Sequence, residues 1–389
     1  MKRTPIFKIT MSISILFIHL MVGCAKETLS ETDGEDDKPV PPPVETISHP
    51  RLMYNAQQID FVKAKIAAGQ EPWAAAYRQL IRKADGFANR THVAVSTFHV
   101  PPFYNDPDAS GDAKDGYMTD AHAAYTNALA FVLSGNSTYA TKAIYFLNAW
   151  ASINTTISTT GDTPLVSSYG GTGFLIAADL LMNSAFWTTP QKETFKNWVR
   201  LRYLPVVAAI KGNSNNWGDW ATFAVISSYG VLGDQPRLLQ EVDRIKSRIN
   251  VHIAADGHMP QEVRRAENGV WYTYFALSGM TSAARVAQNA AGQNLFNYTS
   301  PNGRTIKSAL DYLHFYLKNQ QAWPWHTMGP RNLNNLVWPV DLFEAMNDFY
   351  GNTYNELVTP FRPVLGGYKN DFVKATHVSW NYPTLMRMP

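Results

Sequence analysis

The 389-residue chain has a single cysteine, Cys24, so a disulfide framework and thiolate metal clusters are both excluded. It contains no HExxH or CxxC pattern and its ten histidines are scattered, so no metal site and no cofactor are expected. Charged residues make up only 17% of the chain. No basic stripe of the kind a nucleic-acid binder needs is present. Sustained polar/apolar alternation, the mark of half-buried strands, is also missing. The apolar run from Met11 to Val22 falls short of the ~20 residues that a membrane-spanning helix requires.

That run has another reading. Lys2, Arg3 and Lys8 precede it and "LMVGC" closes it, which is the layout of a bacterial lipoprotein signal with Cys24 as the lipidated residue. Residues 1–24 are therefore expected to export the protein and tether it to a membrane, on the periplasmic or the cell-surface face of the outer membrane. Residues 25–47, acidic and then proline-rich, bury too little apolar surface to offset chain entropy and read as a spacer. The body, 48–389, keeps 29 Lys and Arg against 24 Asp and Glu, a mild surplus suited to a polyanionic partner.

The body is patterned for helices. In "AHAAYTNALAFVLSGN", Tyr125, Ala128, Leu129, Val132 and Leu133 form one apolar stripe that Gly135 closes. Similar segments run from about residues 56–69 to 338–350, joined by turns of Gly, Asn and Pro, with Pro190 and Pro236 near helix starts. Ten or more antiparallel helices without repeat identity predict an all-α fold, an (α/α) toroid or incomplete barrel of helix hairpins around a cleft. The aromatic content, 13%, is high enough to supply both a core and a cleft lining. A monomer is expected.

Two stretches carry the chemistry. In "NSNNWGDW" (213–220), Asn215 and Asn216 stand at a helix start, and two carboxamides exceed what one cap needs. In "DGHMPQEVRRAENGVWYTYFAL" (256–277), a helix read as unbroken from near Pro260 puts Arg265 and Tyr272 on one face, about 10 Å apart along the axis. A guanidinium and a phenol would then reach one sugar from the same wall. The competing readings are a surface ion pair of Arg265 with Glu262 or Glu267 and a buried aromatic at Tyr272.

The order of these motifs, NN before an aromatic-rich helix, then DG, Pro, Glu, an Arg-rich turn and YxxxAL, resembles the alginate lyase superfamily, in particular the helical-toroid polysaccharide lyases of families 5 and 38. The resemblance implies that Asn216 and Arg265 bind the substrate carboxylate and that Tyr272 handles protons at the scissile bond. Many family-5 enzymes have His after the Asn pair, whereas this chain has Trp217, which excludes a base there. His122, on the Tyr125 stripe, is the candidate second catalytic group, against its reading as a satisfied core histidine.

Further substrate contacts are expected from Asn215, Trp217, Trp220, Arg264 and His258, from Tyr169 in the glycine-rich "SSYGGTGF", and from His99 and Tyr104 in the loop "FHVPPFYND". The implied activity is elimination on a 4-linked polyuronate, alginate first and glucuronan next. A glycoside hydrolase would need two carboxylates facing the cleft, for which Asp120, Asp219 and Glu262 are available. A non-catalytic glycan-binding lipoprotein would need only the aromatics.

Overall fold

A computed structural model describes residues 47–327, 338–366 and 377–388. The expected signal and all but the last residue of the expected spacer lie outside the described residues. The architecture is helical throughout the body. Helices α1 (Ala56–Ala67), α2 (Trp73–Gly86), α3 (Pro107–Ser134), α4 (Ser137–Ile153), α5 (Thr163–Gly170) and α6 (Thr172–Leu181) form the first half. The second half holds α7 (Thr189–Trp198), α8 (Leu204–Ala209), α9 (Asn216–Leu232), α10 (Gln235–His252), α11 (Pro260–Val263), α12 (Gly269–Ala291), α13 (Ile306–Lys318), α14 (Val340–Tyr350) and α15 (Asn355–Val358). Two short strands, β1 (Thr97–Phe98) and β2 (Thr156–Ile157), pair in parallel.

The hairpins sort into an inner and an outer layer. Every residue of α6 is buried, and α9 and α12 are buried along most of their length, so these helices are covered on nearly all sides. By contrast α10 and α13 bury one face and leave the other to solvent. The inner helices pack side by side, α3 on α6 and α9 on α12, while α4 backs α3 and α10 backs α9. This is the expected (α/α) toroid.

Local chemistry sets the helix ends. Asp106 accepts from the Ala109 amide and Pro107 occupies the first turn of α3, which starts well before the stripe that predicted it. Gly135 ends that helix in the left-handed region at φ 73°. After α7 the chain passes through a π-turn, Val199–Tyr203, before α8. The glycine-rich stretch 167–174 is the junction of α5 and α6.

The C-terminal segment closes the fold. Residues 377–386 are all buried, and their backbone carbonyls are used by groups far away in sequence. Tyr54 donates to the Asn381 carbonyl, Trp73 to that of Arg387, and the Trp380 indole reaches Thr281.

Candidate active site

Asn216 is positioned by a rivet beneath it. The α9 start is capped by Asn215, whose Oδ1 accepts from the Trp217 amide at 3.2 Å. Arg248 on α10 donates Nε to Asp219 at 2.6 Å, Nη1 to the Asn213 carbonyl at 3.0 Å and Nη2 to the Asn215 carbonyl at 3.1 Å. One buried guanidinium thus ties the loop before α9 to its first turn. Gly218 is required there, since a Cβ would stand 2.1 Å from the Asn213 carbonyl oxygen and 2.6 Å from Arg248.

Asn216 does not cap. It is 1% exposed, and Glu262 grips it twice: the Asn216 amide donates to Oε1 and its Nδ2 to Oε2, both at 2.7 Å. Its Oδ1 is buried with no hydrogen-bond partner among the described residues. Burial, with Asp219 adding to it, pushes the Glu262 carboxyl up to about 7 against the opposing pull of the Asn216 bonds and Arg265.

The expected continuous helix from Pro260 to Tyr272 is broken. α11 ends at Val263, Ala266 is left-handed at φ 54°, and a 3-10 turn, Ala266–Asn268, leads into α12 at Gly269. Gly269 is needed at the restart, because a Cβ would meet Val263 Cα at 2.9 Å and the Trp323 ring at 2.8 Å. The break brings Arg265 back over α12. Its guanidinium stands 4.5 Å from the centre of the Tyr272 ring, far closer than two turns of unbroken helix would leave them. Among the described residues no carboxylate lies within ion-pair distance of Arg265, so the ion-pair alternative fails.

Tyr272 is half-buried, and its hydroxyl meets that of Tyr104 at 2.7 Å. Burial and the Tyr104 bond hold this phenol above the ordinary tyrosine range, Glu262 adds to the rise, and Arg265 opposes it. The loop carrying Tyr104 is pinned where α5 begins: the Val100 amide donates to Thr163 at 2.8 Å and the Phe103 amide to Asp162 at 2.9 Å. Tyr104 itself is 74% exposed. Asn216, Glu262, Arg265, Tyr272 and Tyr104 therefore form one contiguous cluster where α9 and α12 meet.

A family model described as alginate lyase matches residues 94–323, more than half of the chain and all of this cluster. The chain belongs to the alginate lyase family. No curated protein matches it. Among solved structures, this chain is similar to an alginate lyase from Bacteroides ovatus at 22% identity, with 81% of this chain and 96% of that one covered and a TM-score of 0.65. It is also similar to alginate lyase A1-III from Sphingomonas species A1 at 16% identity, covering 85% and 94% with a TM-score of 0.65. A histidine-to-alanine variant of A1-III complexed with a tetrasaccharide matches at 17% identity and a TM-score of 0.68, covering 85% and 94%. At these identities the likeness establishes the toroid and leaves the site to be argued from this chain's own residues.

Three expected site residues are corrected. His122 is 3% exposed, with Nδ1 2.8 Å from Asn381 Nδ2, Phe87 edge-on and Tyr382 stacked on its ring. It anchors the C-terminal segment and cannot reach a sugar. Trp220 is fully buried between Tyr169, Phe275 and His377 and offers no face for stacking. Tyr169 is packed against Trp220 and Phe275 in the same wall and does not project into a cleft.

The other expected contacts stay at the surface or near it. Trp217 is half-buried and Arg264 exposed. His99 is exposed, its Nδ1 3.1 Å from Ser158 Oγ. His258 bonds Asp256 at 2.6 Å and packs on Trp325, away from any contact with the Tyr272 group. Glu262 was foreseen only as an ion-pair partner or a hydrolase carboxylate. Its place three residues before Arg265 holds the signal, but nothing in that spacing says that it points at Asn216.

Proposed function

We propose that this polysaccharide lyase cleaves a 4-linked polyuronate, alginate, by β-elimination, with Tyr272, Arg265 and Asn216 as the acting residues. The observation that carries this reading is the guanidinium stacked on a half-buried phenol beside a pinned carboxamide. Two hydrogen-bonding groups, one of them cationic, suit a uronate carboxylate, and the phenol beside them suits the neighbouring C5–H and O4.

The chemistry follows from that placement. Neutralising the carboxylate acidifies C5–H and lets the electron pair spread as an aci-enolate. Tyr272, as phenolate, takes the C5 proton; the pair forms the C4=C5 double bond as the C4–O4 bond breaks. The phenol then returns its proton to O4 and regains its starting charge. Substrate that displaces Tyr104 removes a cause that raises the Tyr272 phenol and leaves Arg265 to favour the phenolate. One residue serving as base and acid fits a syn elimination, as at mannuronate. The N-terminal residues support an exported lipoprotein, in which the toroid would stand off a membrane surface on its spacer.

The test is incubation with polymannuronate, polyguluronate, glucuronan and neutral glucans, followed by absorbance at about 230–240 nm, where the conjugated C4=C5 product absorbs. Rising absorbance on a polyuronate is expected. New reducing ends without absorbance would mean hydrolysis, and neither signal would leave a binding protein.

A further inference from the structure

Glu262 is buried at the root of the site, on a carboxamide whose free end has no partner. Its two oxygens are taken by the Asn216 amide and by Asn216 Nδ2, each at 2.7 Å. Carboxylate oxygens only accept, so an ionised Glu262 must face the NH2 end of the carboxamide, and Oδ1 is then turned the other way. That is the arrangement present, and it leaves Oδ1 buried and unpartnered. Such an oxygen repels a carboxylate, whereas recognition of a uronate needs N–H groups in that position. Protonated Glu262 reverses the requirement: its O–H donates to Oδ1, the carboxamide turns over, and the NH2 end faces outward.

We propose that Glu262 is a positioning residue and that the site binds a uronate when Glu262 is protonated, which sets the orientation of the Asn216 carboxamide and removes a negative charge near the substrate carboxylate. The proposal rests on the polyuronate reading above and assigns a regulator to that same site. The charged and titratable groups facing Glu262 come from three sides: Asp219 of α9, Arg265 after α11, and Tyr272 of α12. Asp219 is itself held by Arg248 of α10 at 2.6 Å. Burial and Asp219 outweigh Arg265 and the Asn216 bonds, so the carboxyl changes state near neutral pH. Protonation also removes a charge that holds the Tyr272 phenol up, so binding and proton abstraction are favoured by the same event.

The experiment compares wild type with Glu262→Gln on polymannuronate across pH 5.5 to 9. A Gln side chain offers one acceptor for the Asn216 amide and one N–H for Oδ1, which fixes the outward NH2 orientation at every pH. Wild type is expected to lose affinity above about pH 7, with KM rising roughly tenfold per pH unit for one required proton, while kcat keeps the rising limb of the Tyr272 base. Glu262→Gln is expected to show the same KM at pH 8.5 as at pH 6. In parallel, calorimetry of tetramannuronate binding to wild type at pH 8 in two buffers of different ionisation enthalpy should record proton uptake. An alkaline rise in KM that is the same in Glu262→Gln as in wild type, or binding by wild type without proton uptake, overturns the proposal alone. Absence of both binding and unsaturated product in wild type overturns the polyuronate reading and this proposal with it.

Discussion

Helix α12 carries two tyrosines two residues apart, Tyr272 and Tyr274, that meet opposite surroundings. Tyr272 is half-buried, bonds only another phenol and has a guanidinium 4.5 Å from its ring. Tyr274 is 2% exposed and donates to Asp341 at 2.9 Å, with His377 Nε2 also 2.9 Å away. Both phenols are held above the ordinary range, chiefly by burial. The charges beside them differ in sign. Arg265 favours the Tyr272 phenolate, while Asp341 disfavours the Tyr274 phenolate.

Around Tyr274 burial disfavours every charged form. Burial pushes the Asp341 carboxyl up to about 7 and His377 down to about 3. Tyr274, Asp341 and His377 are all closed off from solvent. Similar residue types therefore serve packing on one side of a helix and suit chemistry on the other, and the deciding difference is a neighbouring cation and access to solvent.

The comparison breaks first at Tyr272. Tyr272→Phe should lower kcat by about 10²–10⁴, the range for a lost general acid–base, with oligomannuronate affinity largely intact by calorimetry. Substantial residual turnover would remove the phenol from the mechanism. Tyr274→Phe should do the reverse. It strands Asp341 and His377 without their partner, which costs about 1–3 kcal/mol of unfolding free energy in a urea titration, while kcat stays within a few-fold. A large loss of turnover in a folded Tyr274→Phe protein would erase the distinction drawn here.

The smallest effect sharpens the contrast. Tyr104→Phe removes the bond that helps to raise the Tyr272 phenol. A base works when deprotonated, so lowering its pKa moves the rising limb of activity to lower pH. The shift should be seen in kcat/KM, which reports the free enzyme, and less in kcat. An unmoved limb with only a higher KM would make Tyr104 a plain substrate contact.

Much of this was legible in the sequence. Apolar stripes with capping Asn, Asp, Pro and Gly gave most helices, and the order NN, DG, Pro, Glu, Arg, Tyr pointed to Asn216, Arg265 and Tyr272. The misses share a cause. His122, Trp220 and Tyr169 sit on helices whose every face is covered, so helical spacing could not separate a cleft-facing side from a buried one. The C-terminal segment, which covers His122 through Asn381, has no periodic pattern to announce that it will be buried.

Sequence alone determined the helical class, the family and the residue types that a polyuronate lyase uses, because periodicity, caps and local motifs are properties of neighbouring residues. Only the tertiary structure decided the left-handed turn at Ala266 that folds Arg265 onto Tyr272, and the grip of Glu262 on Asn216 from a different helix. Those depend on contacts between segments dozens of residues apart. Burial and charge at such contacts fix protonation and access, and neither is written in the spacing of a single segment.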